Sequence, residues 1–222
     1  MLLFGHLGIT LGTAVLANAA IVRLASASPE GTGNEQVQSG VELKRFHRLW
    51  WQAGSWFESL ARKVDIRAIF LGSLLPDIID KPIGHGLLAG SLNNGRIFGH
   101  SLILLFIILL VGLILYKRNN NNFMLAVAFG TTMHLVLDSM WVDPRSLFWP
   151  FLGFAFEKGA PGNFFIGLLS SVHQPRSYIP EIVGFIIVSA FSLWLAGKKA
   201  VLSFLKSGKV KPVVNFTRTK AE

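Results

Sequence analysis

The sequence predicts an all-α, polytopic membrane bundle of about five helices, together with an interfacial amphipathic helix. Of its 222 residues, 51% are hydrophobic and only 15% are charged, which is too apolar for an ordinary soluble domain. The apolar residues also fall into five stretches, several of them close to the roughly 20 residues that a membrane-spanning helix needs. The length leaves room for one such bundle and for no second large domain.

The five apolar stretches predict helices of unequal length. The clearest runs from Ile97 to Tyr116. The shortest, Ile66 to Ile79, contains a proline and an aspartate, which favours a tilted or partly re-entrant helix. The others are Leu7–Leu24, Phe123–Trp141 and Ile182–Gly197. We expect the first to be retained as a helix, although Ala25-Ser26-Ala27 has the form of a signal-peptide cleavage site, because no Lys or Arg precedes the apolar run.

The remaining segments are polar or basic. Residues 28–40 are rich in Gly, Ser, Glu and Gln, which predicts a flexible loop. Residues 41–64 place apolar side chains at near-helical spacing among cations and tryptophans, which predicts a helix in the headgroup region. Residues 1–197 therefore form one membrane-embedded domain, and residues 198–222 form a basic cytoplasmic tail.

The 21 Lys and Arg residues are unevenly distributed. If the five helices alternate and the amino terminus lies outside, sixteen cations fall on the inner side and five on the outer side, as the positive-inside rule favours. The carboxyl terminus is then cytoplasmic, and the chain is a multi-pass protein of the cell membrane. The same arrangement brings six ionisable residues to the outer side of the bundle: His6, Asp77, Asp80, His100, His134 and Asp138.

Charges within a membrane are costly unless they are paired, and a metal ion is one way to compensate them. The chain has no cysteine, so a metal must take His, Asp or Glu ligands. His134 and Asp138 are four residues apart and share a helix face. The mixture of nitrogen and oxygen donors suits one or two Zn²⁺ ions, with Mn²⁺ or Fe²⁺ as alternatives. Hydrogen bonds and ion pairs without a metal are the competing interpretation.

Five short motifs follow one another in a recognisable order. They are His6, Leu75-Pro76-Asp77-Ile78-Ile79-Asp80, Gly99-His100-Ser101, His134-Leu135-Val136-Leu137-Asp138 and Leu147-Phe148-Trp149-Pro150-Phe151. Over roughly residues 1–155 this order resembles the YdjM-type family of LexA-regulated, inner-membrane-associated metal-dependent hydrolases, which is distantly similar to zinc-dependent phospholipase C and nuclease P1. The resemblance implies that Asp77, His100, His134 and Asp138 hold one metal. It also implies that Asp138 bridges toward a second metal near His6.

A metal with an open coordination position activates water, so hydrolysis is the expected chemistry. Asp80 is the candidate general base, with metal ligation or orientation of His100 as alternatives. Arg96 and Arg145 are candidates for binding a substrate phosphate, or for contacting lipid headgroups.

The predicted substrate is a phosphoester of a membrane lipid or another amphiphile at the outer interface. The alternatives are a non-catalytic metal-binding transport or scaffold protein, and an intramembrane zinc amidase with ceramidase-like chemistry. No nucleic-acid partner is expected, because the basic tail is explained as an anchor at the inner surface.

The charge asymmetry makes a prediction about topology. A reporter fused after Glu222 should report the cytoplasm, and a reporter inserted between Gly84 and Asn94 should report the outside. If both reporters lie on the same side of the membrane, the alternation of helices is wrong.

Overall fold

The computed structural model describes residues 3–26, 55–158 and 174–209, and these ranges contain helices and connections but no strand. The α3 helix continues into a π-helical turn at Ile83–Leu87. The all-α prediction is therefore confirmed. In chain order the helices are α1 (Leu3–Ser26), α2 (residues 55–63), α3 (Ile66–Pro82), α4 (Leu102–Asn119), α5 (Phe123–Leu137), α6 (Pro144–Leu147), α7 (Pro175–Gly197) and α8 (Val201–Ser207).

All five apolar stretches contain a helix, but the helices differ in length and two are shorter than predicted. The helix predicted from Ile97 begins at Leu102, after a loop, and the helix predicted to end at Trp141 ends at Leu137. Three are long and apolar enough to cross a membrane: Leu3–Leu24, Leu102–Asn119 and Ser177–Gly197. The α3 helix has 17 residues and α5 has 15. At a rise of 1.5 Å per residue they extend about 25 Å and about 22 Å, less than a hydrocarbon core of roughly 30 Å. The membrane bundle thus consists of three full-length helices and two shorter ones.

The two shorter helices share the most extensive contact between any two described helices. A Cβ atom added to Gly72 of α3 would collide with the backbone of Val127, and one added to Gly130 of α5 would collide with the carbonyl of Ile69. The Thr131 hydroxyl donates to the carbonyl of Gly72 at 3.2 Å. Small residues at a membrane helix interface allow backbones to touch in this way.

A second glycine crossing joins α1 to α7. A Cβ atom on Gly8 would meet the backbone of Gly184, and one on Gly184 would meet the carbonyl of Phe4. The α1 helix also packs against α3 and α5. Both crossings together fix the start of α1 beside the ends of the two shorter helices.

The opposite end of the bundle is aromatic inside and basic outside. Phe191 is buried against Phe57 of α2 and Phe204 of α8, with ring centroids 5.4 Å away in each case. The Arg23 guanidinium lies 5.7 Å from the centre of the Trp56 ring. Of the predicted interfacial helix 41–64, the part from residue 55 is helical as expected, and its apolar side packs on the bundle.

The structure describes only part of the segments that the sequence predicts to be polar or basic. The loop at 28–40 and residues 41–54 lie outside the described part of the chain. In the predicted tail, residues 201–207 form α8, which Phe204 attaches to the core, and residues 210–222 are not described.

The contact between α3 and α5 predicts the effect of adding one methyl group. Gly130→Ala should destabilise the protein by about 1–3 kcal/mol, because the methyl group has no space between the two backbones. The melting temperature in detergent measures this effect. Gly197→Ala is the matched control, since among the described residues nothing outside its own helix lies within 4 Å of the added Cβ. Equal melting temperatures for the two variants would contradict the close contact.

Candidate metal centre

The six ionisable residues that the sequence assigns to one side of the bundle come together at one end of it. His6 lies near the start of α1, and His134 lies in the last turn of α5. His6, Asp80, His100 and His134 are all 0% exposed. Buried imidazole and carboxylate groups in such density require hydrogen bonds, ion pairs or a metal to compensate their desolvation.

Two of the histidines face each other through the same ring atom. The Nε2 atoms of His100 and His134 lie 3.1 Å apart. The His6 ring stacks on the His134 ring with centroids 4.1 Å apart and an angle of 17° between the planes. The three imidazoles therefore form one compact group drawn from α1, α5 and the residue that precedes the cap of α4.

The partners of the other ring nitrogens define where the hydrogens lie. His134 Nδ1 is 2.7 Å from the carbonyl oxygen of Ser73, and His100 Nδ1 is 2.7 Å from Asp80 Oδ2. Both partners can only accept, the latter as a carboxylate, so each Nδ1 carries the hydrogen and donates it. In the neutral rings both Nε2 atoms then present lone pairs to each other. Such an arrangement is repulsive unless a cation, either a metal ion or a proton, lies between them.

The two outer carboxylates face the same position. Asp77 Oδ1 lies 3.8 Å from His100 Nε2 and 3.9 Å from His134 Nε2. Asp138 Oδ2 lies 3.8 Å from His100 Nε2. Two groups of donors result, His6 with Asp77 and His134, and His100 with His134 and Asp138, each with ligand atoms within 4.8 Å of one another. His134 belongs to both groups, and because its Nδ1 donates to Ser73, its Nε2 can bind only one ion at a time. The two groups are therefore alternative positions for one ion, and a second ion would take its ligands from His6 and the carboxylates.

His6 supports a metal centre in a different way. Its Nε2 atom is 3.2 Å from Asp138 Oδ1, but neither ring nitrogen makes a well-directed hydrogen bond with any described residue. A fully buried imidazole without such a partner is costly in a purely hydrogen-bonded cluster. The ring nitrogens are thus available as metal ligands. The separation of 3.1 Å between the other two Nε2 atoms also fits two nitrogens at about 2.0–2.1 Å from one ion.

Asp80 is enclosed by hydrogen-bond donors. Its oxygens accept from the backbone N–H groups of residues 97, 98, 99 and 100 at 2.7–3.1 Å, in addition to the His100 ring. Gly99 permits this closure, since a Cβ atom there would lie 2.6 Å from the carbonyl of Pro76. With five donors on two oxygens, the carboxylate has little capacity left for a water proton. This geometry favours the alternative in which Asp80 orients His100.

The two arginines predicted to bind substrate differ in position. Arg96 donates to Asp138 Oδ2 from Nη2 at 2.9 Å and from Nε at 3.2 Å. Arg145 is exposed on α6, next to Ser146, whose hydroxyl donates to the backbone carbonyl of Arg96 at 2.9 Å. Arg96 therefore borders the centre directly, and Arg145 lies on the element that supports it.

Sequence reasoning missed two residues near the centre. The Lys81 ammonium is 2.7 Å from Asp77 Oδ2, one helical turn away. Glu181 of α7 accepts hydrogen bonds from the backbone N–H groups of Phe4 and Gly5 at 2.9 Å and 3.0 Å. It thereby caps the helix that carries His6. An acidic side chain in an otherwise apolar helix was the available signal, because such a charge needs a partner.

These features define the class of protein. It is an all-helical membrane protein whose helices enclose a cluster of three histidines and three aspartates at one end. A profile of the YdjM inner membrane protein family matches residues 43–203, about three quarters of the chain, and the chain belongs to that family. The matched range starts and ends later than the motif order predicts, so it includes α7 and leaves His6 outside. Comparisons with curated proteins and with solved structures gave no significant match.

The hydrogen bonds around Asp80 predict a strong effect of a nearly isosteric change. Asp80→Asn would turn an amide N–H₂ group toward backbone donors and weaken the support of His100, so the melting temperature in detergent should fall by several degrees. Asp143→Asn is the control, because Asp143 caps only the short α6 and asparagine is an equally good cap. A melting temperature that is the same in both variants would rule out the structural role of Asp80.

Proposed function

We propose that the protein is a membrane-bound, metal-dependent hydrolase that cleaves a phosphoester of a lipid or another amphiphile at the outer interface of its own membrane. The observation that carries this proposal is the pair of Nε2 atoms 3.1 Å apart, both with lone pairs directed at one position that Asp77 and Asp138 also face. Family membership supports location in the membrane, and the chemistry of the donor set supports hydrolysis.

The donor set favours zinc. His100, His134, Asp77 and Asp138 would hold the first ion, and His6 would contribute to a second one together with Asp138, whose Oδ1 lies 3.2 Å from His6 Nε2. Imidazole nitrogens and carboxylate oxygens are ligands that Zn²⁺ accepts, and three or four of them leave a coordination position for water. A zinc ion held by these residues would supply an activated water, with a pKa near 7, and a positive charge for a phosphoryl oxygen.

The residues around the donors keep them in place. Asp80 fixes the ring orientation of His100, and the carbonyl of Ser73 does the same for His134. Such outer partners raise ligand basicity and typically affect metal affinity 10–100-fold. Arg96 holds Asp138 and offers its remaining donors toward the exterior. We assign Asp80 a positioning role on this geometry.

Exposed apolar side chains surround the end of the bundle that carries the centre. The connections after α3 and α5 expose large hydrophobic residues that the core does not use: Leu87, Trp141, Val142, Phe151, Leu152 and Phe154. Large exposed apolar surfaces mark contacts with lipids or proteins. In a membrane protein, aromatic residues at the helix ends favour the lipid interface. This surface supports an amphiphilic substrate that reaches the centre from the lipid.

The transport alternative would require a polar route to the other end of the bundle. On α1, the buried apolar residues Leu11, Ala14 and Val15 separate Thr10 from the next buried polar residue, Asn18. They are apolar and packed in the core. This apolar segment favours an enzyme whose site opens on one side of the membrane over a transporter, whose site needs access from both sides.

Metal analysis of the purified protein tests the centre. His134→Ala removes the donor that both groups share, so it should abolish tight zinc binding and also phospholipid hydrolysis. His85→Ala serves as the control for metal content, because His85 bonds to Asn93 instead and is in neither donor group. Retention of the wild-type zinc content by His134→Ala would show that this cluster is not the zinc site and would favour a cluster held by hydrogen bonds and ion pairs. If the wild-type protein retains zinc but releases neither phosphate nor headgroup from any lipid, it is a metal-binding protein and not the proposed hydrolase.

A further inference from the structure

Two cations lie between the buried centre and the exterior. The Lys81 ammonium contacts Asp77, and the Arg96 guanidinium contacts Asp138. Their side chains are 39% and 43% exposed, whereas those of the two aspartates are only 15% and 6% exposed. Each cation thus contacts a ligand carboxylate and also remains accessible to solvent or lipid headgroups.

The two cations are neighbours in space, although they belong to different segments. A Cβ atom on Gly95 would lie 3.6 Å from Lys81 Cγ, so the lysine side chain passes beside the backbone that leads directly into Arg96. The Asn94 side chain accepts from the Arg96 N–H at 2.9 Å and donates to the carbonyl of Glu157 at 2.8 Å, which holds this backbone in place. The lysine and the arginine therefore border one opening.

The balance of charge at this opening indicates what it binds. Among the described residues that contact the cluster, three carboxylates (Asp77, Asp80 and Asp138) and the two cations leave one net negative charge when the imidazoles are neutral. A single divalent metal ion reverses this to one net positive charge, and a second ion increases it further. A partly buried excess of positive charge favours an anionic ligand.

We propose that Lys81 and Arg96 together bind the phosphate group of a ligand at the opening of the metal centre. This inference rests on the proposed function for the metal and adds a recognition site that the motifs did not include. A lysine supplies a mobile point charge, and an arginine supplies a planar set of donors that matches phosphate oxygens. Arg145, by contrast, is not required. The phosphate can belong to a lipid headgroup or to a free anion, and both share the same recognition chemistry.

Calorimetric titration of the zinc-loaded, detergent-purified full chain tests the proposal. The two probes are inorganic phosphate and the short-chain lipid dihexanoyl phosphatidic acid. Lys81→Gln and Arg96→Gln should each weaken binding of both probes about tenfold, because each loses one charged contact. Glutamine can still donate to the aspartate, so the zinc content should stay unchanged. Lys81→Arg retains a cation and should retain most of the affinity.

Lys117→Gln is the matched control, since Lys117 lies in the last turn of α4 at the opposite end of the bundle. The protein without metal should bind inorganic phosphate much more weakly than the loaded protein. Tighter binding of the lipid probe than of inorganic phosphate would identify a lipid as the source of the phosphate, and equal binding would identify the free anion.

Three results would overturn the inference. One is phosphate binding that is unchanged in both glutamine variants. Another is loss of zinc in Lys81→Gln, which would reduce Lys81 to a support for Asp77. The third is equal phosphate affinity with and without metal, which would refute the charge argument. Because these measurements do not use turnover, a zinc-loaded protein that binds phosphate through Lys81 but hydrolyses nothing would leave this inference intact and contradict only the hydrolase.

Discussion

The arrangement at this end of the bundle depends on one interaction, the approach of the Nε2 atoms of His100 and His134 to 3.1 Å. Each ring is held in this position by a hydrogen bond from its other nitrogen, to Asp80 in one case and to the Ser73 carbonyl in the other. Because both of those partners accept a hydrogen bond, the facing Nε2 atoms carry lone pairs, and their close approach requires a cation between them. That requirement explains the rest of the site. The surrounding aspartates and the stacked His6 offer further ligand atoms for a cation, and the outer cations contact two of those aspartates.

The fold supports this approach through backbone contact. The Ser73 carbonyl reaches His134 only because α3 and α5 touch at Gly72 and Gly130, where no side chain separates them. Similarly, His6 reaches the cluster because α1 is packed on α7 and is capped by Glu181. Two short helices, protected by three full-length ones, thus place buried charges at a depth where a single long helix would expose them to lipid.

Much of this arrangement could be predicted from the sequence. Hydropathy located the five helices, and alternation of their directions was sufficient to bring His6, Asp77, His100 and Asp138 to one end. The same reasoning identified α3 as short but extended the fourth helix to Trp141, because it could not locate the end of α5 at Leu137, which depends on the left-handed turn at Ser139. Nor could it separate the roles of Asp77 and Asp80, since only the loop at residues 97–100 surrounds one carboxylate with donors. Glu181 was missed because its partners, two backbone N–H groups of α1, are revealed only by a tertiary contact. Lys81 lies four residues after Asp77 on the same helix, so its ion pair could have been predicted from the spacing.

X-ray absorption spectroscopy of the zinc-loaded protein tests the central claim most directly, because it reports the ligands of the ion itself. The account predicts a first shell of nitrogen and oxygen at about 2.0–2.1 Å, with the outer-shell scattering of at least two imidazole rings. A shell of oxygen alone, or a protein that retains no zinc, would contradict the account, since the facing nitrogens would then be joined by a proton.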